Sequence, residues 1–192
     1  MVEILPHETA LIVIDPQNGM CHPQGTLGES GIDTTRLMAI IPRLAELVTA
    51  CRAVGIPDLW TRHYNLAEDR AREARRIMPH TKKRKRIACQ PGTWDSEFVD
   101  DLKPLAESAA RVIEKYRWSA FHATTLDTLL HALGTRLVVV SGTTQTPAST
   151  LPYATPTRAT MTWSSSRTAW PACVPTGRRR RSPCSATMPP RW

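Results

Sequence analysis

Past Arg136 the chain contains no aspartate, glutamate or lysine. Its only charges there are Arg136, Arg158, Arg167, Arg178, Arg179, Arg180, Arg181 and Arg191. Those arginines account for the whole formal charge of +8, because the other 17 basic residues match the 17 acidic ones. A neutral body excludes a general polyanion-binding surface, which needs clustered, uncompensated Lys or Arg, and so argues against nucleic acid as a partner. One basic run remains, Lys82 to Arg86; no aromatics interleave with it, so a solvated loop is the preferred reading. No apolar run approaches the length of a membrane span, and the apolar stretch near the start is short and follows Glu3 and Glu8. No membrane partner and a cytoplasmic location are therefore expected. The five cysteines (Cys21, Cys51, Cys89, Cys173, Cys184) form no CxxC pair and have no metal-finger spacing with His63, His80 or His122, which argues for a reduced compartment.

With 192 residues and 41% hydrophobic content, the chain suits one compact α/β domain. Residues 9–14 (TALIVI) form a short run of branched apolar residues, the pattern of a strand buried on both faces of a parallel sheet. From Thr34 to Val54, Leu37, Ile40, Ile41, Leu44, Leu47, Val48 and Cys51 recur at spacings of three and four, which predicts one helix stopping at Gly55. IPDLWTRH predicts a second strand, and LAEDRAREARRIM a charged, exposed helix. ARVIEKY predicts a third strand ending at Lys115. TTLDTLLHAL predicts a helix capped by Thr124 or Thr125 and stopped by Gly134, and RLVVVSG a fourth strand. This alternation predicts a wound sheet whose sites gather at the carboxyl ends of its strands, here Asp15, Lys115 and the turn Gly142, Thr143, Thr144.

After Thr144 the text changes character. It holds half of the chain's 16 prolines, no acid, and no apolar periodicity that would build the remaining strands of such a fold. Residues 1–144 are thus expected to form the domain, and 145–192 an aberrant, poorly ordered Pro/Arg-rich tail. The genetic code offers an explanation. Reading each codon one base early permits Thr-Asn-Thr-Cys-Val-Asp-Ser in place of Gln145 to Leu151, and a four-valine strand across the stretch from Met161 to Ala172. A helix and a strand are the elements the visible tail lacks, so a shifted reading frame is expected.

The blocks ALIVIDPQNGMC, QPGTWDSEFVDDLKP, VIEKYRWSAFHATTLDTLLHALG and LVVVSGTT, in this order, resemble isochorismatase-like cysteine hydrolases over about Thr9 to Thr144. Within that family they are most similar to the carbamoyl-amide branch, which includes biuret and ureidoacrylate amidohydrolases and N-carbamoylsarcosine amidase. The resemblance implies a three-layer Rossmann-like α/β fold with a mainly parallel sheet, here with a degenerate C-terminal part. It implies a small amide or carbamoyl substrate, no cofactor, and assembly as a homo-oligomer. It also implies a triad: Asp15 as general base, Lys115 as positive partner, and a cysteine in a GTTTNxCVES segment. Ala148 stands at the cysteine's position, where the shifted frame restores a cysteine codon. Zinc in the nicotinamidase branch is held by an Asp-x-His pair and a further His; here His63 follows WTR, so no metal is expected.

The chemistry explains why these groups belong together. Cleaving an amide or urea carbonyl needs a nucleophile stronger than water, and a thiolate suits once its proton is removed. Asp15 could take that proton and pass it to the departing nitrogen, while Lys115 favours the thiolate. The developing oxyanion needs donors, and the resemblance implies backbone N–H groups at position 148 and the residue before it, past the turn of Thr143 and Thr144; that residue is Pro147, which has no N–H. The chain as written is therefore expected to be inactive. Gln17, His63, Trp118 and Phe121 are candidates for substrate contact, each with a structural competitor: hydrogen bonding for the first two, core or interface packing for the aromatics. A rival reading is a non-catalytic pseudoenzyme or binding protein that uses the basic tail for an acidic partner.

Overall fold

The structure is a computed structural model that describes residues 4–70, 82 and 84–143, together with the backbone of 159–162. Five parallel strands form one sheet in the order β3-β2-β1-β4-β5: β1 (Thr9–Ile14), β2 (Asp58–His63), β3 (Arg111–Lys115), β4 (Leu137–Gly142) and β5 (Ala159–Thr162). Every residue of β1 is buried, as its unbroken apolar run requires at the centre of a sheet covered on both sides.

The two faces pack differently. Leu11 and Val13 point into one core with Trp60, Phe98 and the stripe Ile41, Leu44, Val48 and Cys51 of helix α4 (Ile41–Ala53). Ala10, Ile12 and Ile14 point to the other, with Leu59, Ile113, Val138, Val140 and Leu126 and Leu130 of helix α6 (Leu126–Ala132). Period-two alternation along β1 thus feeds two cores, and the result is the expected three-layer α/β fold with a parallel sheet. Each fully buried Leu, Ile or Val contributes about 1.5–3 kcal/mol.

The helix predicted over Thr34 to Val54 is two helices, α3 (Thr35–Ala39) and α4, joined at Ile40. Pro42, in the first turn of α4, has no N–H to give to Met38, and its ring crowds that carbonyl, so one helix ends and another begins. Helix α6 stops at Gly134, which takes φ 63, as expected. Of the two capping candidates, Thr125 occupies the cap position without a side-chain bond, and Thr124 Oγ1 accepts the N–H of Leu126 at 3.3 Å. Short helices α1 (Asn18–Cys21), α2 (Thr26–Glu29) and α5 (Lys103–Glu107) fill the connections. Leu66 to Arg70, predicted as the start of a helix, are irregular with turns at Ala67, Glu68 and Arg70, and the rest of that segment lies outside the described residues.

β5 departs from the expectation that nothing past Thr144 builds a strand. It pairs with β4 from Leu137↔Ala159 to Val140↔Thr162. An open strand edge offers a row of unpaired N–H and C=O groups, and the two threonines in Ala-Thr-Met-Thr suit extended backbone.

Candidate active site

Three neighbouring strands end at one level. Parallel register sets Ile14 beside Thr61 and beside Gly142, and His63 beside Lys115. Asp15, the first residue past β1, therefore meets Lys115, the last residue of β3, across the tip of β2. The Lys115 Nζ lies 2.6 Å from Asp15 Oδ2, with side chains only 2% and 4% exposed. Lys115 Nζ also donates to the carbonyls of Trp118, at 3.1 Å, and Arg117, at 3.3 Å.

Asp15 is held from several sides. Thr61 Oγ1 donates to Asp15 Oδ1 at 2.6 Å and accepts the Asp15 N–H at 3.2 Å. Thr143 Oγ1 donates to the Asp15 carbonyl at 2.8 Å, and the Thr143 N–H reaches Ile14 O at 3.0 Å. Asp15 itself has φ 46, a left-handed conformation that costs a non-glycine residue about 1–3 kcal/mol and persists only where its surroundings impose it. Gly142, φ 137, is needed because a Cβ there would fall on the Ile14 backbone. The turn after β4 is thereby drawn against the backbone of Ile14 and Asp15.

His63 completes the group. Burial pushes its imidazole down to about 4, and the Lys115 charge adds to this; Asp15 and a ring N–H hydrogen bond to the Asn65 side chain oppose it, while Arg84 lowers it further. The ring is thus neutral at physiological pH, and its Nδ1 is buried with no hydrogen-bond partner among the described residues. Such an atom costs about 1–3 kcal/mol unless something polar meets it.

The other candidates for substrate contact have these surroundings. Gln17 is fully buried, and both N–H groups of its amide go to backbone, to His63 O at 3.0 Å and Ser96 O at 2.8 Å. Phe121 packs against the core beneath α6. Trp118 is 51% exposed and reaches Lys115 through its carbonyl. Thr144, Pro147 and Ala148 lie outside the described residues.

Two thiols lie near the ion pair. Burial pushes Cys21 up to about 12, against a lowering hydrogen bond from Thr143 and with a further push from the Asp15 carboxylate. Cys89 is raised well above the ordinary range, chiefly by burial and then by Asp95 and Asp15. Both are neutral thiols, unsuited to replace a thiolate nucleophile. Among the described residues no group of three or more His, Cys, Asp or Glu is placed to hold a metal ion. Thr61, whose hydroxyl is spent on Asp15, stands where the zinc-binding pattern would need an aspartate.

Sequence reasoning missed Thr61 and Asp95. Thr61 was legible only through register, since its position opposite Ile14 is what sets it on Asp15. Asp95 lies inside the PGTWDSE block but was given no role. Its buried carboxylate accepts from Thr26 Oγ1 at 2.7 Å, Cys89 N at 2.9 Å and Thr26 N at 3.1 Å, and pairs with Arg86 at 3.2 Å. Arg86 also pairs with Glu29 at 2.8 Å, so part of the basic run is a strut between α2 and the loop beneath the site.

A family model for the isochorismatase domain matches residues 9–146. The chain belongs to the isochorismatase family. Among curated proteins of this kind, the ureidoacrylate amidohydrolase RutB of Acinetobacter baylyi is 31% identical over 155 residues, 73% of this chain and 61% of that protein. The chain thus spans about three fifths of the length of that relative. Among solved structures, a cysteine hydrolase from Pseudomonas syringae aligns with a TM-score of 0.58 and 25% identity, covering 73% of this chain and 62% of the other. The N-carbamoylsarcosine amidase from Thermoplasma acidophilum aligns with a TM-score of 0.55 and 26% identity, covering 70% and 67% respectively. Among the described residues no helix is long and apolar enough to cross a membrane.

Proposed function

We propose that this isochorismatase-family chain derives from a cysteine amidohydrolase that cleaves a C–N bond in a small amide or carbamoyl substrate, and that the literal chain, lacking the cysteine at position 148, does not catalyse that reaction. The observation that carries the reading is the buried ion pair of Asp15 and Lys115, 2.6 Å apart, beside the turn that leads toward position 148. A solvent-excluded pair of this kind is costly to keep for stability alone, since apolar replacements of similar volume are often neutral or better.

In the functional ancestor, Asp15 takes the thiol proton of a cysteine at position 148 and delivers it to the leaving nitrogen. The Lys115 ammonium favours the thiolate, and the sulfur attacks the carbonyl carbon. Backbone N–H groups of the turn past Thr143 receive the oxyanion. His63, neutral and with an open Nδ1, offers a hydrogen bond to the substrate's carbamoyl group. The relatives named for ureidoacrylate and N-carbamoylsarcosine support this substrate class.

The same reading includes a shifted reading frame past Thr144, which would restore both the cysteine and the N–H that Pro147 lacks. The decisive experiment is to resequence the gene across this point and to assay the literal and frame-corrected proteins on biuret, ureidoacrylate and N-carbamoyl amino acids. Ammonia or carbamate release by the corrected protein alone is expected. Thiol-dependent turnover by the literal chain would overturn its inactivity, and a single intact frame in independent reads would overturn the frame shift.

A further inference from the structure

Gln17 immediately follows the Asp15-Pro16 step, yet its side chain turns away from the ion pair toward β2. Its Oε1 accepts the His63 N–H at 2.8 Å, and its Nε2 donates to His63 O at 3.0 Å. The amide thus grips both polar groups of one residue's backbone, as a neighbouring strand would. A third bond, to Ser96 O at 2.8 Å, ties the same amide to the segment that crosses beneath. Backbone bonds hold that segment in place: Asn18 N to Glu97 O at 2.9 Å and Val99 N to Pro16 O at 3.0 Å, with Gln17 bridging Phe98. On the far side of His63, the Tyr64 N–H donates to Lys115 O at 2.8 Å, and Asn65 bonds to the loop at Ala88 and Cys89.

His63 sits at the end of β2, where strand pairing with β1 has already ceased: the β1 register runs only to Ile14↔Thr61. Beyond that point a side-chain amide does what a strand would do. We propose that Gln17 is a positioning residue that substitutes for the missing strand and fixes His63 so that the open Nδ1 of its imidazole stays beside the Asp15 and Lys115 pair. This assignment rests on the reading of His63 as a substrate contact only for its purpose; the geometry of the grip stands without it.

The chemistry favours glutamine over its neighbours in size. A glutamate would bring only acceptors to two carbonyls, and a methionine would leave the His63 N–H and two carbonyls unmet. An asparagine, one methylene shorter, cannot span His63 and Ser96 together. The groups facing the imidazole are Lys115, Asp15, Arg84 and Asn65, so a loosened His63 would be rehydrated and less exposed to the Lys115 charge.

The test is a proton NMR titration of the full 192-residue chain with isotope-labelled histidine. In the unaltered protein the His63 ring is expected to stay neutral down to about pH 4. Gln17→Met is expected to move its midpoint up toward the ordinary value of about 6.5 and to speed exchange of its N–H. Asn18→Ala, which removes a bond to Trp94 O in the same crossing segment but none to His63, is expected to leave both unchanged. Should Gln17→Met fail to fold, Gln17→Asn is read the same way, with a smaller displacement. An unmoved His63 in the glutamine variants, or an equal movement in Asn18→Ala, overturns the positioning role. Addition of biuret separates the two readings: an imidazole that responds to Gln17→Met but not to biuret refutes substrate contact alone.

Discussion

At the scale of residues, the site is governed by what burial does to charge. Among the described residues Lys115 and Asp15 pair with each other and otherwise bond to neutral groups, so removing one partner strands the other. Lys115→Met is expected to cost about 3–5 kcal/mol in chemical denaturation, and the double variant Lys115→Met with Asp15→Asn less than the sum of the two single changes. His63 adds a pH dependence. Its folded pKa, about 4, lies below the unfolded value of about 6.5. The unfolded chain therefore binds the extra proton first, and stability rises with pH across that window. The contribution, roughly 3 kcal/mol at neutral pH, is lost as pH falls from about 6.5 toward 4. His63→Gln should flatten that acid limb in urea midpoints measured across the range. The buried thiols Cys21 and Cys89 should resist maleimide at pH 8 in the native protein and react on unfolding, as peptide mapping would reveal.

At the scale of elements, strand ends are aligned by register and held by connections that carry little regular structure. Asp95 is the hub of those connections, joining α2, the loop at Cys89 and the strut through Arg86. Asp95→Ala leaves two buried N–H groups and a hydroxyl unmet and is expected to lower stability by about 2–4 kcal/mol in thermal melts, against under 1 kcal/mol for the exposed Asp101→Ala. Much of this level was legible. β1 was visible in an unbroken apolar run and α6 in its spacing and Gly134. The break at Ile40 was written as Pro42, but the continuous apolar stripe masked it. β5 was not legible, because four residues of moderate strand preference gain their pairing from the open edge of β4 and not from their own pattern.

For the whole molecule, a family fold closes around two cores, and on the reading proposed above the chemistry it was built for lacks its nucleophile. Restoring one atom type should not be enough. Ala148→Cys in the literal chain keeps Pro147, which supplies no N–H to an oxyanion. It should therefore remain at least about 10²-fold below the frame-corrected protein in kcat on a ureido substrate. The sequence by itself determined the strand and helix alternation, the gathering of excess charge from Arg136 onward, and the placing of Asp15 and Lys115 at strand ends, because apolar periodicity and motif order are local properties. Only the tertiary structure decided that Asp15 and Lys115 touch, that Thr61 braces Asp15, and that Gln17 serves the backbone of His63. Those contacts depend on parallel register between strands far apart in the chain, and a hydrogen bond's partner is chosen by which groups burial leaves within 3 Å of one another.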